Sequence, residues 1–265
     1  MLTTTAAIAT TPGVQVLKAG TPAMIELAER CNLPALKSQI IDIPLTEQLN
    51  ALTVGRFAIQ SPSADLPYQY DILEIKAVLT GYVRVQDGEG VIHQADAGDI
   101  IIFTPPTPVT FLGDSDGTYF YVAHRPQEPL FSKSDQDLNF LSAVPGVYLI
   151  KAGTPALLEL SERIAMPELK SQIIDIPLTD HTEALTIGRF AMQESVDLPY
   201  QYDILETKII LSGKIRVQND QGAIYEGNIG DIFVFVPPTN VVFLGDSDGV
   251  AVYAAHRSRE ALFSA

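Results

Sequence analysis

The sequence predicts an all-β protein built from two tandem jelly-roll barrels, with a short helix at the start of each repeat. Three observations predict this fold: the chain repeats itself, each repeat holds many short β-rich segments, and turn residues separate those segments. Short strands spaced by roughly 8–12 residues, with turn signals between them, are typical of β-sandwiches and barrels. Two copies of such a pattern therefore indicate two similar barrels.

The repeat is visible as long stretches of identical sequence. Lys18-Ala-Gly-Thr-Pro22 returns as Lys151-Ala-Gly-Thr-Pro155, 133 positions later, and the offset becomes 132 after a one-residue deletion near Ser61. We predict a first barrel at residues 13–132, a polar linker at 133–145 and a second barrel at 146–265. Each predicted barrel has an ordinary domain size.

The first element of each repeat is predicted to be a helix. Thr21 is a suitable N-cap and Pro22 suits the first helical position, which predicts a helix to about Arg30. Strands follow it. In the first repeat they are predicted at Ser38–Pro44, Leu52–Gln60, Ile72–Leu79, Tyr82–Gln86, Asp99–Thr104, Val109–Leu112 and Thr118–His124.

Composition excludes several classes of protein. The chain of 265 residues has 17 Lys and Arg against 32 Asp and Glu, and its formal net charge of −15 disfavours nucleic acid and anionic membranes as partners. No apolar run is long enough to span a bilayer. Residues 1–11 lack the features of a secretory signal, and we expect a disordered tail there and a cytoplasmic location. The one cysteine, Cys31, is expected to pack as a small hydrophobe.

Two motifs in each repeat resemble the signatures of the cupin superfamily. The segment from Gly98 to Pro108 resembles the second cupin signature, and the spacing of Tyr68, Tyr70, Glu74 and Gly81 resembles the first. Both motifs recur in the second repeat, so the chain is similar to a two-domain cupin, or bicupin. The motif Tyr-Asp-x-x-Glu followed by Leu-x-Gly also resembles the EutQ-type cupins of ethanolamine utilisation. This resemblance implies a role in ethanolamine-type catabolism.

The resemblance implies a metal site whose ligands are largely missing here. Metal-binding cupins hold a divalent ion with two His and one Glu of the first signature and one His of the second. The first two positions are tyrosines in both repeats, and the last is Val109 or Val241. Only Glu74 and Glu206 remain, so we expect no cofactor, assign no metal ligand, and leave open a weakly bound divalent metal.

A lysine lies two positions after each remaining carboxylate. If Glu74 faces the barrel interior, as the resemblance implies, the period of two residues in a strand places Lys76 on the same face. The pair would then replace the metal charge, and burying either charge alone would be costly. A structural ion pair and a Schiff-base lysine remain alternatives to a binding role.

These considerations select the candidate site. The candidate catalytic residues are Tyr68, Tyr70, Glu74, Lys76, Tyr200, Tyr202, Glu206 and Lys208, and the candidate ligand-binding residues are Arg56, His124, Arg189 and His256. Such groups suit a small, anionic metabolite bound in the barrel. Whether the protein is an enzyme is left open.

Two other functions stay open at this stage. One is a metal-dependent cupin enzyme, such as a dioxygenase, lyase or isomerase, and the other is a noncatalytic scaffold. The tandem repeat further predicts an intrachain pseudo-dimer, because cupins commonly pair, and leaves a homodimer of the whole chain open.

Overall fold

Antiparallel strands form nearly all of the regular structure of this protein. The computed structural model describes residues 12–46, 52–124, 145–178 and 185–256. The expected tail and nearly all of the expected linker lie outside these residues, so the predicted linker bounds stay predictions. Within the described residues there are 20 strands and one four-residue helix, which confirms the predicted all-β class.

The strands follow one another in the same order in both repeats. The first ten are β1 (Gly13–Leu17), β2 (Ile25–Glu26), β3 (Ser38–Pro44), β4 (Leu52–Ile59), β5 (Leu66–Tyr70), β6 (Glu74–Asp87), β7 (Ile92–Asp96), β8 (Ile100–Thr104), β9 (Thr107–Phe111) and β10 (Asp116–His124). The second ten are β11 (Gly146–Ile150), β12 (Leu158–Glu159), β13 (Ser171–Pro177), β14 (Leu185–Met192), β15 (Leu198–Tyr202), β16 (Glu206–Asn219), β17 (Ile224–Asn228), β18 (Ile232–Val236), β19 (Thr239–Phe243) and β20 (Asp248–His256). The helix α1 (Leu160–Arg163) follows β12.

The chain divides into two structural units. Their boundaries differ from those of the sequence repeats, because the first strand of each repeat lies in the other unit. Of the described residues, unit 1 contains 22–46, 52–124 and 145–152, and unit 2 contains 12–21, 153–178 and 185–256. Strand β1 therefore belongs to unit 2, where it pairs with β18, and β11 belongs to unit 1, where it pairs with β8. Each unit takes its first strand from the other repeat.

Each unit is one curled antiparallel sheet. The strand order is β11-β8-β6-β10-β4-β3-β2 in unit 1 and β1-β18-β16-β20-β14-β13-β12 in unit 2. The remaining strands extend these sheets, because β7 and β9 pair with β6, and β5 pairs with β9. The inner faces enclose apolar side chains, among them Phe57, Phe103 and Phe111 in unit 1.

The strand β6 is a single long strand where the sequence pattern predicts two. It continues through Gly81, whose φ of +67° is left-handed and where a Cβ would lie 1.9 Å from the carbonyl oxygen of Asp116. The partner strand β10 shifts register between Thr118 and Tyr119, next to this glycine. The first half of β6 can therefore pair with β8 and β10 while its second half pairs with β7 and β9.

The structure corrects the helix predicted at the start of each repeat. In the first repeat β2 occupies this segment, pairing Ile25 with Ile40, and a single α-helical hydrogen bond from residue i to i−4 follows, from the Cys31 N–H to the Leu27 carbonyl. In the second repeat the helix is limited to α1. Burial of Leu27 and pairing with β3 outweigh the local capping signal in so short a segment.

Candidate functional site

The carboxylate and the lysine of each repeat form a buried ion pair inside the sheet. Glu74 and Lys76 are both 3% exposed, and Lys76 Nζ lies 2.8 Å from Glu74 Oε1. In unit 2, Lys208 Nζ lies 2.6 Å from Glu206 Oε1. The pairing expected from strand alternation is therefore confirmed in both units.

A tyrosine hydroxyl satisfies a further lone pair of each carboxylate. Tyr70 donates a hydrogen bond of 2.9 Å to Glu74 Oε1, and its ring stacks on Phe103 with the centroids 4.1 Å apart. Tyr68 packs edge-on against Tyr70, with 4.7 Å between the ring centroids, and is only half-buried. Of the two tyrosines that replace the cupin histidines, Tyr70 therefore orients the carboxylate and Tyr68 lies nearer the outside.

Unit 2 repeats this arrangement. Tyr202 donates to Glu206 Oε1 over 3.0 Å, its ring stacks on Phe235, and Tyr200 packs edge-on against it. The two copies thus hold the carboxylate in the same way.

Aromatic rings surround the other side of the ammonium group. Lys76 Nζ lies 4.3 Å from the ring centroid of Tyr121, 4.9 Å from that of Phe57 and 5.8 Å from that of Phe111. Ring faces attract a desolvated cation, so they add to the attraction of the Glu74 carboxylate. The pair is thereby held in a mostly apolar interior with both charges compensated.

Sequence reasoning missed a second polar pair beside the lysine. The single hydroxyl proton of Tyr121 is shared between two acceptors, the Asp42 carboxylate, which is 1% exposed, and the Ile41 carbonyl oxygen 3.0 Å away. The corresponding groups in unit 2 are Tyr253 and Asp175. The available signal was an aspartate within the apolar segment Ile-Ile-Asp-Ile-Pro, present in both repeats.

Strand register explains why these groups meet. Lys76, Tyr121, Gly55 and Asp42 are direct neighbours across β6, β10, β4 and β3, so their side chains share one face. Gly55 is required in this row because a Cβ there would lie 2.1 Å from Cζ of Tyr121. The glycine lets the tyrosine ring cross β4 and reach Asp42.

The candidate ligand-binding arginines do not join this site. Phe57 is in the inner core and contacts Lys76, so the adjacent Arg56 faces the opposite side of β4. Arg189 is 4% exposed, and its Nη1 donates to the Thr154 carbonyl over 2.7 Å. The candidates His124 and His256 end β10 and β20, and their side chains lie outside the described part of the structure.

A cavity reaches the ion pair of unit 2. Its volume is about 220 Å³, and Glu206, Lys208 and Tyr202 form its polar end. The rest of the lining is mostly apolar and comprises Leu160, Ile164, Met166, Ile173, Phe190, Leu198, Pro199, Tyr200 and Phe243. The lysine and carboxylate are therefore accessible to a small molecule that enters this cavity.

The cysteine occupies the corresponding position in unit 1. Cys31 aligns with the cavity residue Ile164, and it packs, partly buried, against the inner core as expected. Desolvation by burial raises the pKa of its thiol, which lowers the fraction of reactive thiolate. Cys31 therefore contributes to the apolar packing of unit 1 at the position that Ile164 holds in unit 2.

The residues present do not fit the divalent metal that the cupin resemblance implies. Val109, at the position of the second-signature histidine, lies directly opposite Tyr68 in β5, and neither supplies an imidazole. An ammonium group also lies 2.8 Å from the remaining carboxylate, where it would repel a cation. In the described ranges, no group of three or more His, Cys, Asp or Glu could hold a metal ion.

The described residues also include no helix long and apolar enough to cross a membrane.

Comparison with known proteins identifies the fold. No family model and no curated protein matches the sequence. Among solved structures, Ylba from E. coli, of the DUF861 family, is similar with a TM-score of 0.64 at 12% identity, covering 96% of this chain and 95% of that chain. A variant of oxalate decarboxylase from B. subtilis has a TM-score of 0.62 at 12% identity, covering 95% and 79% of the two chains.

A third similar structure is the bacterial pirin YhhW from E. coli in complex with nickel(II). Its TM-score is 0.57 at 13% identity, covering 93% of this chain and 100% of that chain. Another neighbour, with a TM-score of 0.56 at 8% identity, is a cupin 2 conserved barrel domain protein from Leptotrichia buccalis, covering 83% and 89% of the two chains. At such identities the likeness concerns the fold alone, and it shows that this chain has the fold of a two-domain cupin.

Proposed function

We propose that the barrel interior of unit 2 binds a small molecule that has an apolar body and one polar group, without the help of a metal. The observation that carries this proposal is the cavity that ends at Glu206 and Lys208. Small-molecule sites are typically apolar pockets with a few convergent polar groups, which is the composition found here.

The volume limits the size of the ligand. An apolar cavity of about 150 Å³ is large enough to hold benzene. The cavity of about 220 Å³ therefore suits a molecule of roughly the size of benzyl alcohol. Its ring would contact Leu160, Ile164 and Phe190, and its polar group would reach the ion pair.

The charge of the site favours a neutral polar group. The positive charge of Lys208 is already compensated by Glu206, at 2.6 Å, so an anionic ligand would introduce an uncompensated charge into a mostly apolar cavity. A hydroxyl or carbonyl group can instead hydrogen-bond to the pair and leave its charge balance intact. An uncharged ligand therefore suits this cavity better than the anionic ligand expected from the sequence.

The pathway remains a separate proposal. The role in ethanolamine-type catabolism rests on the sequence motif from Tyr70 to Glu74. It is compatible with a small ligand that has one polar group. It does not affect the binding test.

The binding test compares three probes that share one ring. Benzyl alcohol, benzoate and benzylammonium are titrated into the full chain, and binding is followed by calorimetry and by ligand-observed NMR. We expect benzyl alcohol to bind more tightly than either ion, and treatment with EDTA to leave its affinity unchanged. Preferential binding of benzoate would contradict the neutral-ligand proposal, and a loss of binding after EDTA would contradict its independence of metal.

Matched substitutions locate the site. Ile164→Phe adds volume to the cavity wall of unit 2, and we expect it to weaken benzyl alcohol binding at least about tenfold by filling the space. Cys31→Phe makes the corresponding change in unit 1 and should leave binding in unit 2 unchanged. Equal effects of the two substitutions would place the bound probe elsewhere.

A further inference from the structure

We propose that Lys208 captures a small aldehyde or ketone as a protonated imine in the cavity of unit 2. The inference rests on the proposed function, since the carbonyl compound must first enter this cavity. It goes beyond reversible binding because it assigns a covalent step and a chemical class of ligand to the site.

The geometry places the amine at the end of an apolar cavity next to a proton acceptor. Lys208 lines the cavity, its side chain is 4% exposed, and the Glu206 carboxylate lies 2.6 Å from Nζ. A carbonyl group is the neutral polar group that suits this end of the cavity and is also the electrophile that a lysine amine attacks. Surface lysines such as Lys18 and Lys151, with side chains 54% and 50% exposed, lack such an enclosure.

The step balances without any further reactant. Glu206 accepts one proton from the Lys208 ammonium, and the neutral amine forms a C–N bond to the carbonyl carbon. The carbonyl oxygen takes up two protons, one from the attacking nitrogen and one returned by Glu206, and leaves as water while the C=N bond forms. The sum is ammonium plus aldehyde giving protonated imine plus water, so the total charge is unchanged.

Charge conservation is the reason that this site suits an imine. The product nitrogen still carries a positive charge, so it still compensates Glu206 and still faces the rings of Tyr253 and Phe190, at 4.2 and 5.0 Å in the starting state. Acylation of the same lysine would instead remove the positive charge that lies 2.6 Å from the buried Glu206 carboxylate, which is unfavourable. The site is therefore selective for carbonyl compounds over acylating agents.

The aspartate next to this group supports the same class of ligand. Asp175 accepts a hydrogen bond from Tyr253, whose ring contacts Lys208, so a second carboxyl group lies near the ion pair. A ligand with its own carboxylate would bring a third carboxyl group into this mostly apolar interior. Simple uncharged aldehydes and ketones are therefore preferred over keto acids.

The test is reductive trapping on the full chain. The protein is incubated with benzaldehyde and sodium cyanoborohydride, and intact mass and peptide mapping locate each added benzyl group. We expect Lys208 to be labelled at least about tenfold faster than exposed lysines such as Lys18 and Lys170, because the cavity holds the aldehyde against the amine. Excess benzyl alcohol, which competes for the cavity, should suppress labelling of Lys208 and leave the exposed lysines unaffected.

A substitution tests the role of the carboxylate. Glu206→Gln keeps the lysine and a hydrogen-bond acceptor for Tyr202 but removes the proton acceptor, and we expect trapping at Lys208 to slow by about 100-fold. The competition experiment needs no variant, so it remains decisive if this protein folds poorly.

The outcomes separate the two proposals. Labelling confined to exposed lysines, in a protein that binds benzyl alcohol, would overturn the imine and leave the proposed function intact. Absence of both benzyl alcohol binding and Lys208 labelling would overturn both. Labelling of Lys208 that benzyl alcohol does not suppress would overturn the assignment of the reaction to the cavity.

Discussion

Lys76 is a buried lysine whose surroundings limit which substitutions this part of the core can tolerate. Lys76 has one carboxylate at 2.8 Å and ring faces around the rest of its ammonium group. A buried ion pair contributes little net stability relative to a well-packed apolar pair, but removing one member leaves the other uncompensated. The pair therefore adds little to the stability of the fold, but replacing only one of its two members is destabilising.

This asymmetry predicts the order of two variants. Lys76→Met should lower the free energy of unfolding by about 3–5 kcal/mol, because Glu74 is then buried without its cation. The double variant Glu74→Gln with Lys76→Met should lose clearly less, since the glutamine is neutral and still accepts a hydrogen bond from Tyr70. Urea denaturation measures both values, and equal losses would contradict the interpretation.

A glycine next to this pair should tolerate no side chain. In Gly55→Ala the new Cβ would lie 2.1 Å from the Tyr121 ring and 2.3 Å from the Ile41 carbonyl oxygen. We expect a loss of more than about 3 kcal/mol in the free energy of unfolding, because both contacts must be relieved by moving strands. Gly20→Ala is the comparison, since its Cβ would meet nothing within 4 Å and only its φ of +77° is unfavourable. Losses of equal size would show that the close approach to Tyr121 is not decisive.

At the scale of elements, one aspartate holds the first strand of each repeat in place. Asp99 precedes β8 and accepts hydrogen bonds from Lys151 Nζ and the Ala152 N–H, both at 2.6 Å, just after β11. Burial by itself raises the pKa of this carboxyl, but the hydrogen bonds from Lys151, Asp96 and Ala152 outweigh it and hold the pKa below its ordinary value. Asp231 holds β1 in unit 2 through Lys18 and Ala19 in the same way.

The lowered pKa determines the pH dependence. A carboxyl whose pKa is lower in the folded state stabilises the protein above its unfolded pKa of about 3.9, and this contribution is lost as the pH falls towards the folded value. Asp99→Asn should therefore lower the free energy of unfolding by about 1–3 kcal/mol at pH 7, and its difference from the parent chain should shrink below about pH 4.

Urea denaturation at several pH values measures this effect. Asp96→Asn is the control, because Asp96 lies 3.6 Å from the same lysine but its side chain is 60% exposed. A difference between Asp99→Asn and the parent chain that stays constant across the pH range would refute the assignment.

At the scale of the whole molecule, each sheet is complete only because the repeats exchange their first strands. Residues 12–21 belong to unit 2 and residues 145–152 to unit 1, so neither repeat contains all the strands of one unit. Because β18 would lose β1 and β8 would lose β11, each repeat alone would expose the backbone groups of a core strand.

This arrangement predicts how the halves behave when the chain is cut within residues 133–145. Co-expressed halves should associate, whereas either half alone should be unstable as a monomer. Since the repeats are similar in sequence and have the same strand order, a half that does fold alone should do so as a dimer that exchanges first strands. Light scattering and thermal denaturation measure both properties, and a stable monomeric half would contradict the prediction.

The sequence alone determined the features that depend on local periodicity. The repeat and the all-β class follow from it. The same periodicity places each glutamate and lysine on a shared face, and the cupin resemblance supplied the expectation that this face is the inner one. The resemblance to cupins was also readable from motif spacing, and the solved structures confirm it for the fold alone.

Tertiary structure decided the features that depend on distant segments. Tyr121 meets Asp42 across β4 only because four strands have a particular register, and the capping signal at Thr21 yields to the pairing of β2 with β3. Arg56, which the sequence placed in the pocket, lies on the opposite face from Phe57. The cavity beside Lys208 depends on how side chains from α1, β13, β14 and β15 fill a shared space. Register and residual volume are set by contacts between remote parts of the chain, and no local pattern encodes them.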